Sequence, residues 1–515
     1  MSFHIANMLN ADVYDHSVKN LELIETHISW VILTGEYAYK IKKPVNFGFL
    51  DFSTLDKRHQ FCEQEIFLNC RLAPGIYLGV VPITGTQDKP HISGSGEIIE
   101  YAVKMRQFPQ SIQMDNMLIA GELKAEHMDT LACVTAEFHQ HAESADDSVD
   151  YGEKHVVYQP MEENFKQIHE HINTENYEKT LSSLAQWSHA EFIKLGPLLE
   201  QRKHDGFIRQ CHGDMHLRNL IWFNNQAMAF DCIEFNPHLS WIDVISEVAF
   251  LIMDLQSRNE YRFANRFINS YLQITGDYAG LALMRFYLCY RALVRAKVDA
   301  LRIEQKDCPE EESVKTRAEF ESYLQLATTY THAVAPKLII MHGLSAVGKS
   351  TLSQQLIDEM GIIRIRSDVE RKRLFNVAIE SSASSSINND LYTPQASQQT
   401  YGRLLELAEH VLVAGYSVIV DAAFLQYEQR EIFQTLAKSL NVPYIILQLT
   451  APVDVLKKRI LERQDKISDA DITVLEHQIS NMKPFHKNEM NSVIHLNTDV
   501  ELDFDKLKLA LEARV

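Results

Sequence analysis

Two groups of residues have the types and spacing that handle phosphate. The first is Gly343, Leu344, Ser345, Ala346, Val347, Gly348, Lys349, Ser350 and Thr351, which fits G-x-x-x-x-G-K-[ST]. Glycines let a backbone wrap around phosphate oxygens, so that its N–H groups and a following helix N-terminus face the negative charge. Lys349 then reaches the β- and γ-phosphates of ATP, and the Ser350 hydroxyl ligates Mg²⁺. The second group lies in His212-Gly213-Asp214-Met215-His216-Leu217-Arg218-Asn219 and in Asp231 beyond it. One loop can thereby present Asp214 as a base to an acceptor hydroxyl, while Asn219 and Asp231 grip Mg²⁺ on a triphosphate.

The elements that must position the first group are legible around it. Lys337 to His342 is a buried-strand run that feeds into Gly343, and Leu352, Leu356, Ile357 and Met360 follow at helical spacing. A chance glycine-rich turn would lack that strand before and helix after. The next strand, Gly361 to Arg366, ends in Ser367-Asp368-Val369-Glu370-Arg371-Lys372. An aspartate there opens onto the crevice where α/β sheets bind ligands, so Asp368 could take the acceptor proton while Arg371 holds the acceptor or the migrating phosphoryl group. The plainer reading makes Asp368 a helix N-cap and Arg371 to Arg373 a solvated face. A third strand, Ser417 to Asp421, follows a long helix ended by Gly415, and Asp421 suits holding Mg²⁺ through water. Lys457, Lys458, Arg459 and Arg463 lie on a helix beginning near Pro452, either as a lid closing over phosphates or as an ordinary basic face.

Three regions separate on pattern. Glu25 to Tyr101 alternates as strands do, apart from a helical stretch over Lys57 to Leu72. Gly121 to Tyr330 is mainly helical, with one strand-prone island from Phe207 to Asn236. From Lys337 onward short apolar strands alternate with amphipathic helices, the signature of a parallel sheet. Ser381 to Ser386 reads as a mobile loop. The length of 515 residues suggests roughly three folding units.

Fifty basic against 69 acidic residues give a net charge of -19, which argues against a general nucleic-acid or anionic-membrane binder. Seven cysteines are scattered without a CxxC pair, and read as reduced thiols of a cytoplasmic protein. The N-terminus shows no secretory pattern, and the apolar stretches are too short to span a bilayer. His212 and His216 imitate a metal pair, but the glutamate of H-E-x-x-H is absent.

Residues 1 to about 330 resemble the aminoglycoside phosphotransferase family, relatives of the protein kinases, through the Asp214, Asn219 and Asp231 motif. The resemblance makes Asp214 the catalytic aspartate and Asn219 and Asp231 the metal ligands. Ala38-Tyr39-Lys40 is similar to the kinase A-x-K strand, which implies that Lys40 bridges the α- and β-phosphates and pairs with Glu65, or Glu63. Lys42 shares Lys40's strand face and could take its place; a plain reading leaves Lys40, Lys42 and Lys43 as edge-strand charges. Glu100 to Arg106 would supply the adenine hinge. No glycine-rich loop precedes Lys40, and His216-Leu217-Arg218 stands where relatives carry His-Pro-Gly. Residues 337 to 515 resemble the P-loop small-molecule and polynucleotide kinases, including gluconate kinase-like and zeta-toxin-like proteins, which implies phosphoryl transfer to a hydroxyl with Asp368 as base. The order of the two modules, and the segment YKIKKPVNFGFLDFSTL, resemble a family of bacterial two-module fusions.

The expected fold is an α+β protein-kinase-like two-lobed domain, with a β-rich lobe over 1–115 and a helical lobe over 116–332, followed by an α/β P-loop NTPase domain with a parallel sheet over 337–515. The expected function is a bifunctional ATP- and Mg²⁺-dependent phosphotransferase acting on small-molecule hydroxyl acceptors. Two alternatives stand beside it: one catalytic module regulated by a second ATP-binding module, or a nucleic-acid end kinase acting through Asp368.

Overall fold

A computed structural model describes residues 3–46, 50–303, 310–378, 393–462 and 472–514. Ser381 to Ser386 and Arg463 lie outside the described residues. The chain divides into two compact units, residues 1–258 with 287–327 and residues 259–286 with 328–515.

In the first unit the alternating segments become β1 (Glu22–Glu25), β2 (Ser29–Leu33) and β3 (Tyr37–Lys42), then β4 (Tyr77–Thr86), β5 (Lys89–Ile92) and β6 (Ile98–Arg106). They form an antiparallel sheet in the order β1-β2-β3-β6-β4-β5. Helix α1 (Leu55–Asn69) falls between β3 and β4 and packs on β4 and β6; its N-cap Thr54 accepts the Lys57 N–H. Its buried stripe is Arg58, Cys62, Glu65, Leu68 and Asn69, so this helix turns mainly polar groups inward. That stripe works because each charge has a partner, Arg58 donating to both oxygens of Glu100 at 2.9 Å. Glu100, read as part of an adenine hinge, therefore faces the core.

The helical lobe holds α2 (Met114–Ile119), α3 (Ala125–His141), α4 (Lys154–His171) and α5 (Glu178–His204), then β7 (Ile208–Gln210), the hairpin β8 (Leu220–Phe223) and β9 (Gln226–Ala229), α6 (Pro237–Ser240) and β10 (Trp241–Asp243). Helix α7 (Val244–Ser257) follows, buried along nearly its whole length. Next in the chain come α8 (Tyr261–Thr275), α9 (Leu281–Ile303) and α10 (Glu310–Thr331).

The second unit contains β11 (Leu338–His342), α11 (Lys349–Met360), β12 (Ile363–Arg366), α12 (Ser367–Leu374), α13 (Pro394–Val413) and β13 (Val418–Asp421). After these come α14 (Tyr427–Ser439), β14 (Tyr444–Thr450), α15 (Val453–Leu461), α16 (Ile472–Asn481), β15 (Val493–Asn497) and α17 (Phe504–Glu512). The strands form a parallel sheet in the order β12-β13-β11-β14-β15, with β11 fully buried. The order reverses around β11, so the strand that precedes the phosphate loop stands at the topological switch point. Among the described residues no helix is long and apolar enough to cross a membrane.

Segment 259–286, expected in the helical lobe, belongs to this second unit. Helix α8 packs on α11 and β12 and ends at Gly276 in the left-handed conformation. Its Asn269 caps the free edge of β12: the side chain accepts the Arg364 N–H at 2.8 Å and donates to the Ile362 carbonyl at 3.2 Å. An edge strand otherwise leaves such groups unpaired. Asn269→Ala is therefore expected to destabilise the second unit by about 2 kcal/mol, read from the urea midpoint, because two buried backbone groups lose their partner. An unchanged midpoint would show that water replaces the amide.

At the end of β11, His342 is buried against Phe485 with neither ring nitrogen hydrogen-bonded among the described residues. Burial, and then the charges of Arg430 and Lys349, push its pKa down to about 4. The native state thus binds fewer protons than the unfolded chain between about pH 6.5 and 4, so stability falls as pH drops through that window, by about 3 kcal/mol in all. Urea unfolding of wild type and His342→Phe across that range checks it; the variant's profile should lack this component.

Candidate functional site

In the first unit, β3 places Lys40 and Lys42 on one face, two residues apart. Lys40 Nζ lies 2.8 Å from Glu65 Oε1 and 2.5 Å from Asp231 Oδ1. Lys42 Nζ lies 2.7 Å from Glu65 Oε2, contacts Glu234 Oε1, and sits over the Phe52 ring at 4.9 Å. Lys42 is 1% exposed and enclosed, whereas Asp231, beside Lys40, is 49% exposed. Glu63 points outward toward His59. Burial would lower the Lys40 ammonium, but Asp231, Glu65 and Glu234 outweigh it and hold it well above the usual lysine value. Glu65 is held down by both lysines against its own burial, while burial pushes Glu234 up.

Asp231 has φ 64, a left-handed backbone that is strained for a residue with a side chain. Its surroundings impose this: the Asp231 N–H donates to Tyr77 Oη at 3.0 Å, and the Cys232 N–H to Asn69 Oδ1 at 2.9 Å. Asn69 in turn donates to the Glu65 carbonyl, so α1 carries both the Lys40 partner and the anchor of the Asp231 loop.

The loop from His212 to Asn219 is fixed from below. Glu247 on α7 accepts the His212 and Gly213 N–H groups at 3.1 and 2.8 Å and meets His139 Nε2 at 3.1 Å. Asp254 accepts the Leu217 N–H at 2.9 Å, and Arg291 donates to the Gly213 carbonyl at 3.1 Å. His212 Nδ1 accepts the Asp214 N–H, which leaves Nε2 protonated toward the Phe230 carbonyl; burial lowers its pKa, so the ring is neutral. Asn219 Nδ2 donates to Asp214 Oδ2 at 2.9 Å and to its carbonyl at 3.0 Å. Burial would raise the Asp214 carboxyl, but His216, 3.4 Å away, and Arg295 outweigh it and hold the carboxyl down. Glu234, Glu247, Asp254 and Arg291 carry no motif signal, and only the fold reveals them.

In the second unit the phosphate loop joins β11 to α11. Gly343 has φ 154, and a Cβ there would lie 2.7 Å from the Leu449 carbonyl oxygen; Gly348 has φ 95. Lys349 Nζ donates to the Gly343 and Leu344 carbonyls at 2.9 Å each. Ser350 Oγ donates to Asp421 Oδ2 at 2.9 Å, bringing the end of β13 to the loop. Leu344 and Val347 pack against the core beneath, and Ser345, Ala346, Gly348, Ser350 and Thr351 line a cavity of about 1050 Å³.

Across that cavity stand Asp368 and Arg371, their side chains 3.4 Å apart. Arg366 is the N-cap of α12 and Asp368 lies in its first turn, so the N-cap reading of Asp368 does not hold. Arg459 reaches the cavity and donates to the Thr498 carbonyl at 2.6 Å, while Thr498 Oγ1 donates to the Val347 carbonyl at 2.8 Å. Lys457 and Lys458 instead pair with Glu476 and Glu462 on the surface. Gln478, unnoticed in the sequence, accepts the Ser345 N–H at 2.8 Å.

Residues 338–485 match the AAA domain family. The structure of choline kinase from Cryptosporidium parvum superposes with TM-score 0.41 and 12% identity, over 63% of this chain and 94% of that one. Chaetomium thermophilum Kti12 in complex with ADP-AlF3 superposes with TM-score 0.26 and 17% identity, over 35% of this chain and 99% of that one. The Mycobacterium tuberculosis protein Rv2004c is 30% identical over 456 residues, 87% of this chain and 88% of that one. At that identity over that span, the chain belongs to the same family as the mycobacterial protein.

Proposed function

We propose that the chain is an ATP-dependent phosphotransferase with two separate nucleotide sites, each transferring the γ-phosphoryl group to a hydroxyl acceptor. The observation that carries this is the repetition of one set of parts on two unrelated folds. Each unit holds a lysine, a pair of oxygen ligands and an aspartate: Lys40, Asn219 with Asp231, and Asp214 in the first; Lys349, Ser350 with Asp421, and Asp368 in the second.

Both ligand pairs offer oxygen, which suits a hard cation such as Mg²⁺; Asn219 gives its amide N–H₂ to Asp214 and so keeps its carbonyl oxygen for the ion. Bound there, Mg²⁺ would neutralise charge on the triphosphate. In the first unit Asn219 occupies Oδ2 of the ionised Asp214, which leaves Oδ1 to accept the hydroxyl proton. As that proton moves, the acceptor oxygen bonds the γ-phosphorus and the bond to the β-phosphate oxygen breaks, with ADP leaving. Lys40 moves from Asp231 to the phosphates, and Glu65 keeps its orientation. In the second unit Asp368 is the base, Arg371 steadies it, and Lys349 exchanges two carbonyls for phosphate oxygens.

ATP turnover across a panel of sugars, nucleosides, aminoglycosides and short oligonucleotides tests this. Asp214→Ala and Lys349→Ala are each expected to cut turnover about 100-fold or more, for different acceptors. If Lys349→Ala alone silences everything, the first unit binds or regulates and is no kinase. The two neighbouring lysines should also separate. Lys40→Met is expected to lose turnover at the first site with an unchanged melting temperature. Lys42→Met leaves the buried Glu234 without its ion-pair partner and should cost about 3–5 kcal/mol of stability. Equal melting temperatures for the two variants would refute that division of labour.

A further inference from the structure

The phosphate loop has a partner that its own motif does not supply. Gln478 stands on α16, far along the chain from Gly343 to Thr351, and its Oε1 accepts the Ser345 N–H at 2.8 Å. A backbone N–H can only donate, so the carboxamide is turned one way, with its oxygen on the loop and its N–H₂ directed elsewhere. Gln478 lines the same cavity as Ser345, Lys349 and Ser350, and its N–H₂ has no hydrogen-bond partner among the described residues.

The helix that carries Gln478 is fastened along its length. Leu475, three residues earlier and so on a neighbouring position of the same face, is fully buried in the core that also holds Val347 of the loop. Glu476 pairs with Lys457 of α15 at 3.0 Å. The Asn481 carbonyl accepts Gln426 Nε2 at 2.6 Å, and the Lys483 N–H donates to the Leu425 carbonyl at 2.9 Å. These two bonds tie the end of α16 to the segment that follows β13. A donor held in advance on such a support gives up little freedom when a ligand takes its hydrogen bond.

Position along the phosphate loop decides which phosphate the N–H₂ meets. Lys349, which reaches the β- and γ-phosphates, rests on the carbonyls of Gly343 and Leu344, the two residues just before Ser345. Ser350 and Thr351 lie at the other end, on α11. The amide therefore stands with Lys349, where the triphosphate terminates. We infer that Gln478 is a γ-phosphate-binding residue of the second site: it keeps its oxygen on Ser345 and donates an N–H to a γ-phosphoryl oxygen, so that a group on α16 tells ATP from ADP. The inference rests on the phosphotransferase reading of this cavity and adds to it a residue outside the motif. An uncharged donor suits that place. The γ-phosphoryl group carries three outer oxygens, more than Lys349 alone satisfies, and a further cation would reach the β-phosphate as well and hold ADP with the same strength.

Calorimetric titration of the full chain with Mg·ADP and with Mg·AMP-PNP, which keeps a γ-phosphoryl group in place, tests it. The binding event that Lys349→Ala removes marks the second site. Gln478→Glu leaves an oxygen for Ser345 but replaces the N–H₂ with an anion, and Gln478→Met keeps the length and removes both polar groups. Each is expected to weaken Mg·AMP-PNP at that site about 10-fold more than it weakens Mg·ADP, the loss of a hydrogen bond to a charged partner. Equal losses for the two nucleotides would make Gln478 a support of the loop, unchanged binding a bystander, and tighter binding a plug that phosphate has to displace; each of these overturns the proposal. Failure of the underlying reading looks different, since Lys349→Ala would then remove no binding event at all.

Discussion

A lysine that is to meet a phosphate must first be kept charged and in place without one. Both units depend on meeting that constraint, and they meet it differently. In the first, Lys40 is shared between Glu65 and Asp231, with burial opposing its charge and three carboxylates sustaining it. In the second, Lys349 rests on two backbone carbonyls of the loop it serves. A carboxylate partner holds a lysine strongly and would resist releasing it to a nucleotide. The first unit relieves this by giving Glu65 a second, permanent counter-ion, Lys42, itself fixed by Glu234. When Lys40 turns toward phosphate, Glu65 stays paired, and no buried carboxylate is left without a cation. Neutral carbonyls ask for no such device, and the second unit has none around Lys349.

The rest of each fold serves to hold these groups still. Asp214 stands on a loop whose own backbone is committed to α7 and α9 through Glu247, Asp254 and Arg291. Three charged groups spent on backbone hydrogen bonds make a rigid support, because each would cost free energy if left unpaired in the interior. The strain at Asp231 belongs to the same scheme. Its left-handed backbone aims the carboxylate at Lys40 and is sustained by Tyr77 and Asn69. In the second unit, β12 must stay in register for Arg366 and Asp368 to face the loop. Asn269 secures that edge from a helix far upstream in the chain.

How much of this was legible follows from how local each signal is. The phosphate loop was readable because glycine pattern, apolar strand and helix lie within some twenty consecutive residues, Lys337 to Leu356. The alternation of short apolar strands with helices beyond Lys337 was readable from periodicity in the same way, whereas the order of those strands was not. Helix α1 was harder: its inward stripe holds Arg58, Cys62, Glu65 and Asn69 beside Leu68, so apolar spacing alone does not mark its buried face. Glu234, Glu247 and Asp254 resemble surface charges until the fold buries them against partners distant in sequence. The allegiance of segment 259–286 was not legible at all. An amphipathic helix shows that it has an apolar face, not which core that face joins.

Net charge and site charge obey different rules, and the second unit shows why. A total of -19 describes the long-range field, which salt screens within about 10 Å. A cavity wall acts at contact distance, where a single guanidinium outweighs the distant carboxylates. The acidic total therefore argues against a partner that must cover a wide surface, such as a duplex, while saying nothing against a small anion that enters one cleft. Arg366, Arg371, Lys349 and Arg459 converge on that cleft from β12, α12, the phosphate loop and α15. Four cations from four elements on one cavity, in a chain with nineteen more acids than bases, form a built feature of the fold. Asp368, Asp421 and Glu501 line the same cavity, so the local balance there is close to even before any ligand enters, far from the balance of the chain as a whole.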